Sequence, residues 1–521
     1  MPERATASES RTGDRAPKRR RKPANHKIRT HDGRRVLSVV KSVFGLSDLR
    51  PGQHEVIASV LRGSHTLAIM PTGAGKSLCY QVPALLMPGM TVVISPLIAL
   101  MRDQFEKITG LGIEAVQVNS ALPADEVRRS RARVGRRSVE FLFTTPEQLA
   151  SPDLRALLAK SNVDLLVIDE VHCLSQWGHD FRPAYLEACQ AIRALGTPTV
   201  LALTATATPE VVDDITRSLQ LGPFHIVNTG VQRPNLAYHV RPVTSAADKD
   251  RQLVEVVREI QGACIVYAAT IRHVEDLKRT LQQEGIAAVA YHGRMRARER
   301  TDVQSRFMSG EVQLIVATNA FGMGIDRADI RAVVHYDLPP SLDVYYQESG
   351  RAGRDGNPAD CILLFQRADR RLQSFFMAGR YPAHDDFAGV VQGLAKLEAR
   401  DTLQFDEIRS TVPEISTGKL RAVLAVLKQE KLIVERRGKR YEIRPGLLTT
   451  SMEPFSQSYE DRRQRDQAKL EQMIIYAQTA LCRTALLLEA LGEEAGATPC
   501  GTCDNCRGTA VRAEAVAKGA A

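Results

Sequence analysis

TLAIMPTGAGKS, residues 66–77, carries a short apolar run straight into a glycine-bearing turn that closes on Lys-Ser. TLAIM has the length and composition of a buried strand, and a helical segment follows the turn. A strand, a Gly-containing turn and a helix are the parts of a phosphate-binding loop, whose broad pattern is GxxxxGK[ST]. Met70 stands where that pattern has its first Gly, so the broad match is partial, whereas the tighter form PTGxGKS is intact. Gly73 and Gly75 let backbone N–H groups turn toward phosphate oxygens. Lys76 can reach the terminal phosphates and Ser77 can ligate Mg²⁺. Thr72, Gly73, Ala74, Gly75, Lys76 and Ser77 are therefore the candidate nucleotide cradle.

The neighbourhood of this stretch decides the fold class. TVVIS (91–95), VEFLF (139–143), DLLVID (164–169) and TVLALT (199–204) alternate with helical segments. That alternation predicts βαβ units and a buried parallel sheet over residues 36–222. The pattern recurs over 223–378 with ACIVYA (263–268), AAVAYH (287–292), QLIVAT (313–318), AVVHYD (332–337) and DCILLF (360–365). Two tandem α/β domains follow, joined through LGPFHIVNTGVQRPN (221–235). DLLVID ends in acids: Asp169 is placed to hold Mg²⁺ through water, and Glu170 to orient or deprotonate an attacking water. QESGRAGRDG (347–356), late in the second domain, holds two arginines three apart. An arginine inserted from another domain stabilises a phosphoryl-transfer transition state, so Arg351 and Arg354 place ATP between the domains.

Bulk properties bound the rest. The chain has 521 residues, 44% hydrophobic and 25% charged, as in an ordinary globular protein of several domains. It shows neither a transmembrane-length apolar run nor a secretory h-region, which predicts no membrane role. Of the net charge of +10, residues 1–35 supply +8 through 12 Lys and Arg against 4 Asp and Glu. This basic tail is expected to be disordered. Cys79, Cys173, Cys189, Cys264 and Cys361 are scattered, as free thiols are in a reducing compartment. The expected location is the cytoplasm and nucleoid of a bacterium, or the nucleus of a eukaryote.

Residues 379–448 change character. Phe387, Val390, Val391, Leu394 and Leu397 recur at helical spacing, and a short helix is expected around Phe405–Arg409. Leu420, Val423, Leu424 and Leu427 mark a third helix, with Ser416 or Thr417 as N-cap. IVER-RGK-RYEI reads as a hairpin turning at Gly438. Three helices and a hairpin describe a winged-helix-like module. Residues 416–444 carry nine Lys and Arg against three Glu, which places Arg436, Arg437, Lys439 and Arg440 as candidate DNA contacts. In 449–510, PCGTCDNC supplies Cys500, Cys503 and Cys506. Cys482 lies further back, read as sitting on a helix with Leu470, Met473, Ile474, Ala477 and Leu481 on one face. Four thiolates suit tetrahedral Zn²⁺; an iron–sulfur cluster is the alternative. Residues 511–521 read as a tail.

LRPGQHEVI (49–57), PTGAGKSLCYQVPAL (71–85), ISPLIALMRDQ (94–104), TTPEQL (144–149), DEVHCLSQWGHDFRPAY (169–185), ALTATATP (202–209), ATNAFGMGIDRADIR (317–331) and YYQESGRAGRDG (345–356) occur in this order. Together they resemble the RecQ family of superfamily 2 DNA helicases, across 36–378 and again across 468–506. The resemblance implies two RecA-like domains, ATP, Mg²⁺ and Zn²⁺ as cofactors, and single-stranded and forked DNA as partners; it names no protein partner. It further implies that Arg50 and Gln53 recognise adenine, that Thr204–Thr206 couple hydrolysis to domain movement, and that Asp326 lies near the ATP cleft. Arg354 resembles the family's arginine finger, with Arg351 beside it. Trp177 and Phe181, in the loop behind the acids, would stack on unpaired bases, and Arg182 would contact phosphate. Translocation 3′→5′ is implied by the resemblance alone. Two departures stand out. Val171 replaces the usual Ala, and the winged-helix-like module precedes the zinc segment instead of following it, which predicts a rearranged C-terminal half. An RNA helicase and an ATP-switched DNA-annealing protein are the competing functions.

Overall fold

The computed structural model describes residues 31–136, 138–175, 183–195, 198–322, 325, 327–397, 401–436, 440–494 and 499–508. Seven strands form the first sheet: β1 (Thr66–Ile69), β2 (Met90–Ile94), β3 (Ala115–Val118), β4 (Phe141–Thr144), β5 (Val163–Ile168), β6 (Thr199–Thr204) and β7 (His225–Asn228). They lie in the order β3-β4-β2-β5-β6-β1-β7, every neighbouring pair parallel. Leu67, Ile94, Leu166 and Val200 pack on one face, and Ala68, Val93, Val167 and Leu201 on the other. Burial on both faces is why the central strands read as unbroken apolar runs.

The second sheet is built alike from β8 (Leu236–Pro242), β9 (Ala263–Tyr267), β10 (Val289–Tyr291), β11 (Leu314–Ala317), β12 (Ile330–His335) and β13 (Ala359–Phe365). Its order is β10-β11-β9-β12-β13-β8. The α/β expectation of two parallel sheets therefore holds. In these two sheets three strands appear where none was expected, namely β3, β7 and β8. β7 falls inside the segment read as a connection and pairs with β1, Thr66 opposite His225. The first sheet thus reaches residue 228, and the chain crosses between sheets over 229–235.

Helices His384–Ala395, Phe405–Thr411 and Thr417–Gln429 follow, with strands β14 (Leu403–Gln404), β15 (Ile433–Arg436) and β16 (Arg440–Ile443). The strands form an antiparallel sheet in the order β14-β16-β15. Phe387, Val390, Leu394, Leu420, Val423 and Leu427 share one core. Ser416 is the N-cap of the third helix, its hydroxyl accepting from the Lys419 N–H at 3.3 Å.

Helix Glu453–Gln478 then spans two cores. Its start packs Phe455 and Tyr459 against the three-helix module. Its end sends Leu470, Met473, Tyr476 and Ala477 into the core of the second sheet. This helix stops before Cys482, which caps the next helix, Arg483–Ala490. Leu481 is 65% exposed, so its expected place on the apolar face is corrected. Thr479 opens the chain into an extended link and carries Leu481 off the helical period. Among the described residues, no helix is long and apolar enough to cross a membrane.

Candidate nucleotide cleft and metal centre

β1, β6 and β5 are successive in the first sheet, so their carboxyl ends deliver 70–77, 205–206 and 169–172 to one edge. Crevices at such edges are where open parallel sheets hold ligands. The turn at 71–77 depends on glycine. Gly75 has φ +79°, and a Cβ there would lie 2.5 Å from the Gln53 side-chain nitrogen. That amide donates to the carbonyls of Ala74 and Gly75, each at 3.0 Å. The Arg50 guanidinium donates to the Gly73 carbonyl. Arg50 and Gln53, implied to contact adenine, thus hold the loop's own backbone in this structure. Lys76 donates to the Met70 carbonyl at 3.1 Å. Burial lowers its pKa, and the nearby charges of Glu170 and Asp169 partly offset that effect. Ser77 is the N-cap residue of helix Leu78–Leu86. Thr72 and Ala74 complete the turn.

Asp169 follows β5 directly. Its N–H donates to the Ile94 carbonyl at 2.8 Å, and Tyr185 Oη donates to its carbonyl at 2.9 Å. Burial, then the adjacent charge of Glu170, pushes the Asp169 carboxyl up to about 7, with Lys76 opposing. Glu170 has φ +50°, a left-handed conformation costing a side-chain-bearing residue roughly 1–2 kcal/mol. Strain of this kind concentrates at functional sites. His172 Nδ1 lies 3.3 Å from Glu170 Oε2 and 3.0 Å from Thr204 Oγ1, and Thr204 Oγ1 donates to the Thr206 carbonyl at 2.8 Å. His172 thus stands between the acid pair and the 204–206 segment, hydrogen-bonded to Thr204 and in close approach to Glu170, whose Oε2 makes no hydrogen bond among the described residues. His172 has no role in the sequence reading; its only signal is its position two residues after Glu170.

The second domain closes this edge. Residues 350–354 follow helix Leu342–Ser349. Arg354 Cγ stands 3.2 Å from where a Cβ on Gly73 would be, and a Cβ on Gly350 would be 3.3 Å from Thr72 Cβ. The arginine-bearing loop thus rests on the phosphate loop. Arg351 is 6% exposed and lines an interdomain cavity of about 510 Å³ with Glu170, His172 and Asn319. Asp326 lies outside the described residues.

The Sγ atoms of Cys482, Cys500, Cys503 and Cys506 all lie within 4.8 Å of one another, and Cys500 and Cys506 are 3.9 Å apart. Four thiolates at about 2.3 Å from a tetrahedral Zn²⁺ need similar spacings, so the set fits that ion. Cys503 is fully buried in the second sheet's core. Asp504 ties the cluster to β8, accepting from the Val240 N–H at 2.9 Å and from Arg483 Nε at 2.5 Å.

The candidate DNA contacts divide. Trp177, Phe181, Arg182, Arg437 and Lys439 lie outside the described residues. Arg436 is held across the hairpin by Glu442 at 2.6 Å, Lys428 by Glu435 at 3.0 Å and Lys419 by Asp386 at 2.7 Å. Arg440 is exposed. The expected crowd of cations is therefore partly neutralised by its own hairpin and helices.

Comparison with known proteins agrees with this geometry. The DEAD/DEAH box helicase family matches residues 50–215, the helicase conserved C-terminal domain 248–356 and the RecQ zinc-binding family 427–507. The ATP-dependent DNA helicase RecQ of Bacillus subtilis is 42% identical over 346 residues, 66% of this chain and 58% of that protein. The probable ATP-dependent DNA helicase RecS of the same organism is 37% identical over 419 residues, 79% of this chain and 83% of that protein. Mycobacterium smegmatis helicase Lhr, solved with ssDNA and AMP-PNP, aligns at TM-score 0.53 and 24% identity over 78% of this chain and 60% of its own. The DUF1998 helicase MrfA, solved with DNA, aligns at TM-score 0.55 and 19% identity over 80% and 64%. At such identities these two show a shared fold. Both parallel sheets, the ordered motifs and the four-cysteine cluster lead to one conclusion: the chain belongs to the RecQ family of superfamily 2 helicases.

Proposed function

We propose that this protein is an ATP-dependent DNA helicase that couples hydrolysis in the interdomain cleft to movement on single-stranded DNA, 3′→5′, and to unwinding, in repair and recombination. One observation carries the reading. Lys76, Asp169 and Glu170 of the first domain and Arg351 and Arg354 of the second approach one edge, with the arginine loop seated on the phosphate loop. A nucleotide bound there is touched from both sides, so cleaving it changes what holds the domains together.

Each residue then has a task. The 71–77 turn and Lys76 bind the phosphates. Glu170 accepts a proton as water attacks the γ-phosphorus and the bond from that phosphorus to the β-bridging oxygen breaks. Arg351 and Arg354 stabilise charge on the transferring oxygens, worth roughly 10³–10⁵ in rate for such arginines. Ser77 and Asp169 would hold Mg²⁺, which neutralises phosphate charge when bound. The crowded Asp169–Glu170 pair, with one carboxyl raised to about 7, is the donor set such a cation relieves. The placement of His172 beside Glu170 and hydrogen-bonded to Thr204 supports a coupling role for 204–206. In the loop that follows the acids, Trp177 and Phe181 stack on bases and Arg182 meets phosphate; Asp326 contributes to nucleotide binding. Residues 384–443 act as a winged helix gripping duplex at a fork, Arg437, Lys439 and Arg440 contributing more than the paired Arg436.

The test is ATP hydrolysis with single-stranded DNA, duplex DNA or RNA as stimulant, alongside strand separation of a forked duplex. Stimulation by single-stranded DNA with ATP-dependent separation supports the reading. Stimulation by RNA alone, or hydrolysis without strand separation, overturns it.

A further inference from the structure

The chain between the two sheets, 229–235, carries a residue that the family motifs quoted above do not include. Arg233 has five guanidinium N–H donors, and each meets an acceptor. Nη1 donates to the Thr72 carbonyl at 2.7 Å and to the Gly350 carbonyl at 3.3 Å. Nη2 donates to the carbonyls of Ala352 at 3.0 Å and Gly353 at 2.8 Å. Nε donates to Asn235 Oδ1 at 3.3 Å. One acceptor belongs to the phosphate loop of the first domain. Three belong to the loop that carries Arg351 and Arg354.

We infer that Arg233 is the positioning residue that sets the two arginines against the phosphate loop. It fixes the backbone on both sides of Arg351, at Gly350 and Ala352, and immediately before Arg354, at Gly353. Its bonds to that loop go to main-chain carbonyls, so it acts through main-chain geometry. Asn235 reinforces the same loop, donating to the carbonyls of Gly353 and Asn357, each at 2.8 Å. That approach needs glycine at 353, because a Cβ there would fall 2.4 Å from the Asn235 amide nitrogen.

The chain leading to Arg233 is held at Val231 from two directions. The Val231 N–H donates to Glu493 Oε1 at 2.5 Å, and Tyr346 Oη donates to the Val231 carbonyl at 2.6 Å. Glu493 lies just after helix Arg483–Ala490 of the zinc segment, and Tyr346 lies on the helix preceding the arginine loop. The crossing between domains is thus a clamped strut with a five-donor fork at its end. A guanidinium suits this task because its planar fork spans several carbonyls at once, whereas an ammonium donates from one point.

The inference rests on hydrolysis occurring in this cleft, so its test separates the two claims. Arg233→Ala and Arg233→Lys are compared with wild type in ATP hydrolysis stimulated by single-stranded DNA, and in small-angle X-ray scattering with a non-hydrolysable ATP analogue. Nucleotide binding rests chiefly on the first domain, so KM for ATP should stay within about threefold in Arg233→Ala. Its kcat should fall on the order of 100-fold, the size of effect a misplacement of about 1 Å produces. Arg233→Lys should recover part of that loss. With the analogue bound, the Ala variant should scatter as a more extended particle than wild type. A folded Ala variant with wild-type kcat, or one that raises KM alone, overturns the inference. If the Ala variant does not fold, wild-type kcat in the Lys variant overturns it. If wild type hydrolyses no ATP, the functional reading fails, and the scattering comparison alone decides whether Arg233 holds the domains together.

Discussion

Arg354 of the second domain lies over Gly73 of the first, its Cγ 3.2 Å from the position a Cβ on that glycine would take. Gly73 also has φ +87°, so alanine there is strained and crowds the arginine. Gly73→Ala should lower stability by about 1–2 kcal/mol, the usual cost of a left-handed side-chain-bearing residue. Hydrolysis should fall by much more than that implies, because Arg354 must shift. Thermal unfolding and steady-state turnover measured on the same preparation check this; a large loss of stability with normal turnover counts against the proposed packing.

Glu170 keeps a left-handed backbone beside Asp169. Glu170→Gln preserves size and backbone but removes the proton acceptor. It should still bind ATP and lose about 10²–10⁴-fold in hydrolysis, with its melting temperature unchanged. Retention of more than a tenth of wild-type turnover would assign the base elsewhere.

The zinc cysteines are part of the second domain's core, not an appendage. Cys503 is fully buried with Leu470, Tyr476 and Leu487, and Asp504 holds the Val240 N–H of β8. Elemental analysis should find close to one zinc and no iron per chain. Cys503→Ser, or chelation, should reduce hydrogen-exchange protection along β8 as well as near the cysteines, since metal binding and local folding are linked. A metal-free wild type with full protection at β8 contradicts the prediction.

How far the sequence is legible follows the unbroken length of each apolar run. β5 and β6 lie inside the first sheet, buried on both faces, and their apolar runs mark the observed ends to within a residue. The three unexpected strands of the parallel sheets are all edges: β3 and β7 flank the first sheet and β8 flanks the second; β3 is buried throughout, but Gln117 interrupts its short apolar run. His225, Ile226 and Asn228 of β7 are exposed, so no continuous apolar run marks it. β8 alternates buried with half-buried positions and ends at Pro242. The cleft residues are legible because phosphate chemistry demands particular residue types at fixed spacing. Arg233 and Glu493 are not, nor is the bond from Tyr346 to Val231, because these side chains bond to backbone groups far away in sequence, which leave no residue-type signature. Leu481 is misplaced by the sequence pattern because helical periodicity does not announce where a helix stops.

The wing offers a graded test of its proposed grip on duplex. Arg436 and Arg440 are both exposed, and Arg436 is engaged by Glu442. Reversing charge at Arg437, Lys439 and Arg440 should weaken forked-duplex binding and flatten its salt dependence by about 0.9 in log–log slope for each phosphate no longer neutralised. Hydrolysis stimulated by single strands should survive. Trp177→Ala should do the converse, blunting that stimulation while nucleotide still binds. Unwinding at the wild-type rate in the charge-reversed protein would make the module a packing unit.

The central claim is that two domains act on one nucleotide to separate DNA strands. Lys76→Ala and Arg354→Ala test it most directly, each assayed for ATP hydrolysis with single-stranded DNA and for separation of a forked duplex. Both variants should remain folded, and both should lose roughly 10³-fold or more of DNA-stimulated hydrolysis, with strand separation lost in parallel. Near-normal hydrolysis in folded Arg354→Ala, with Lys76→Ala inactive, would confine the chemistry to the first domain and contradict the account.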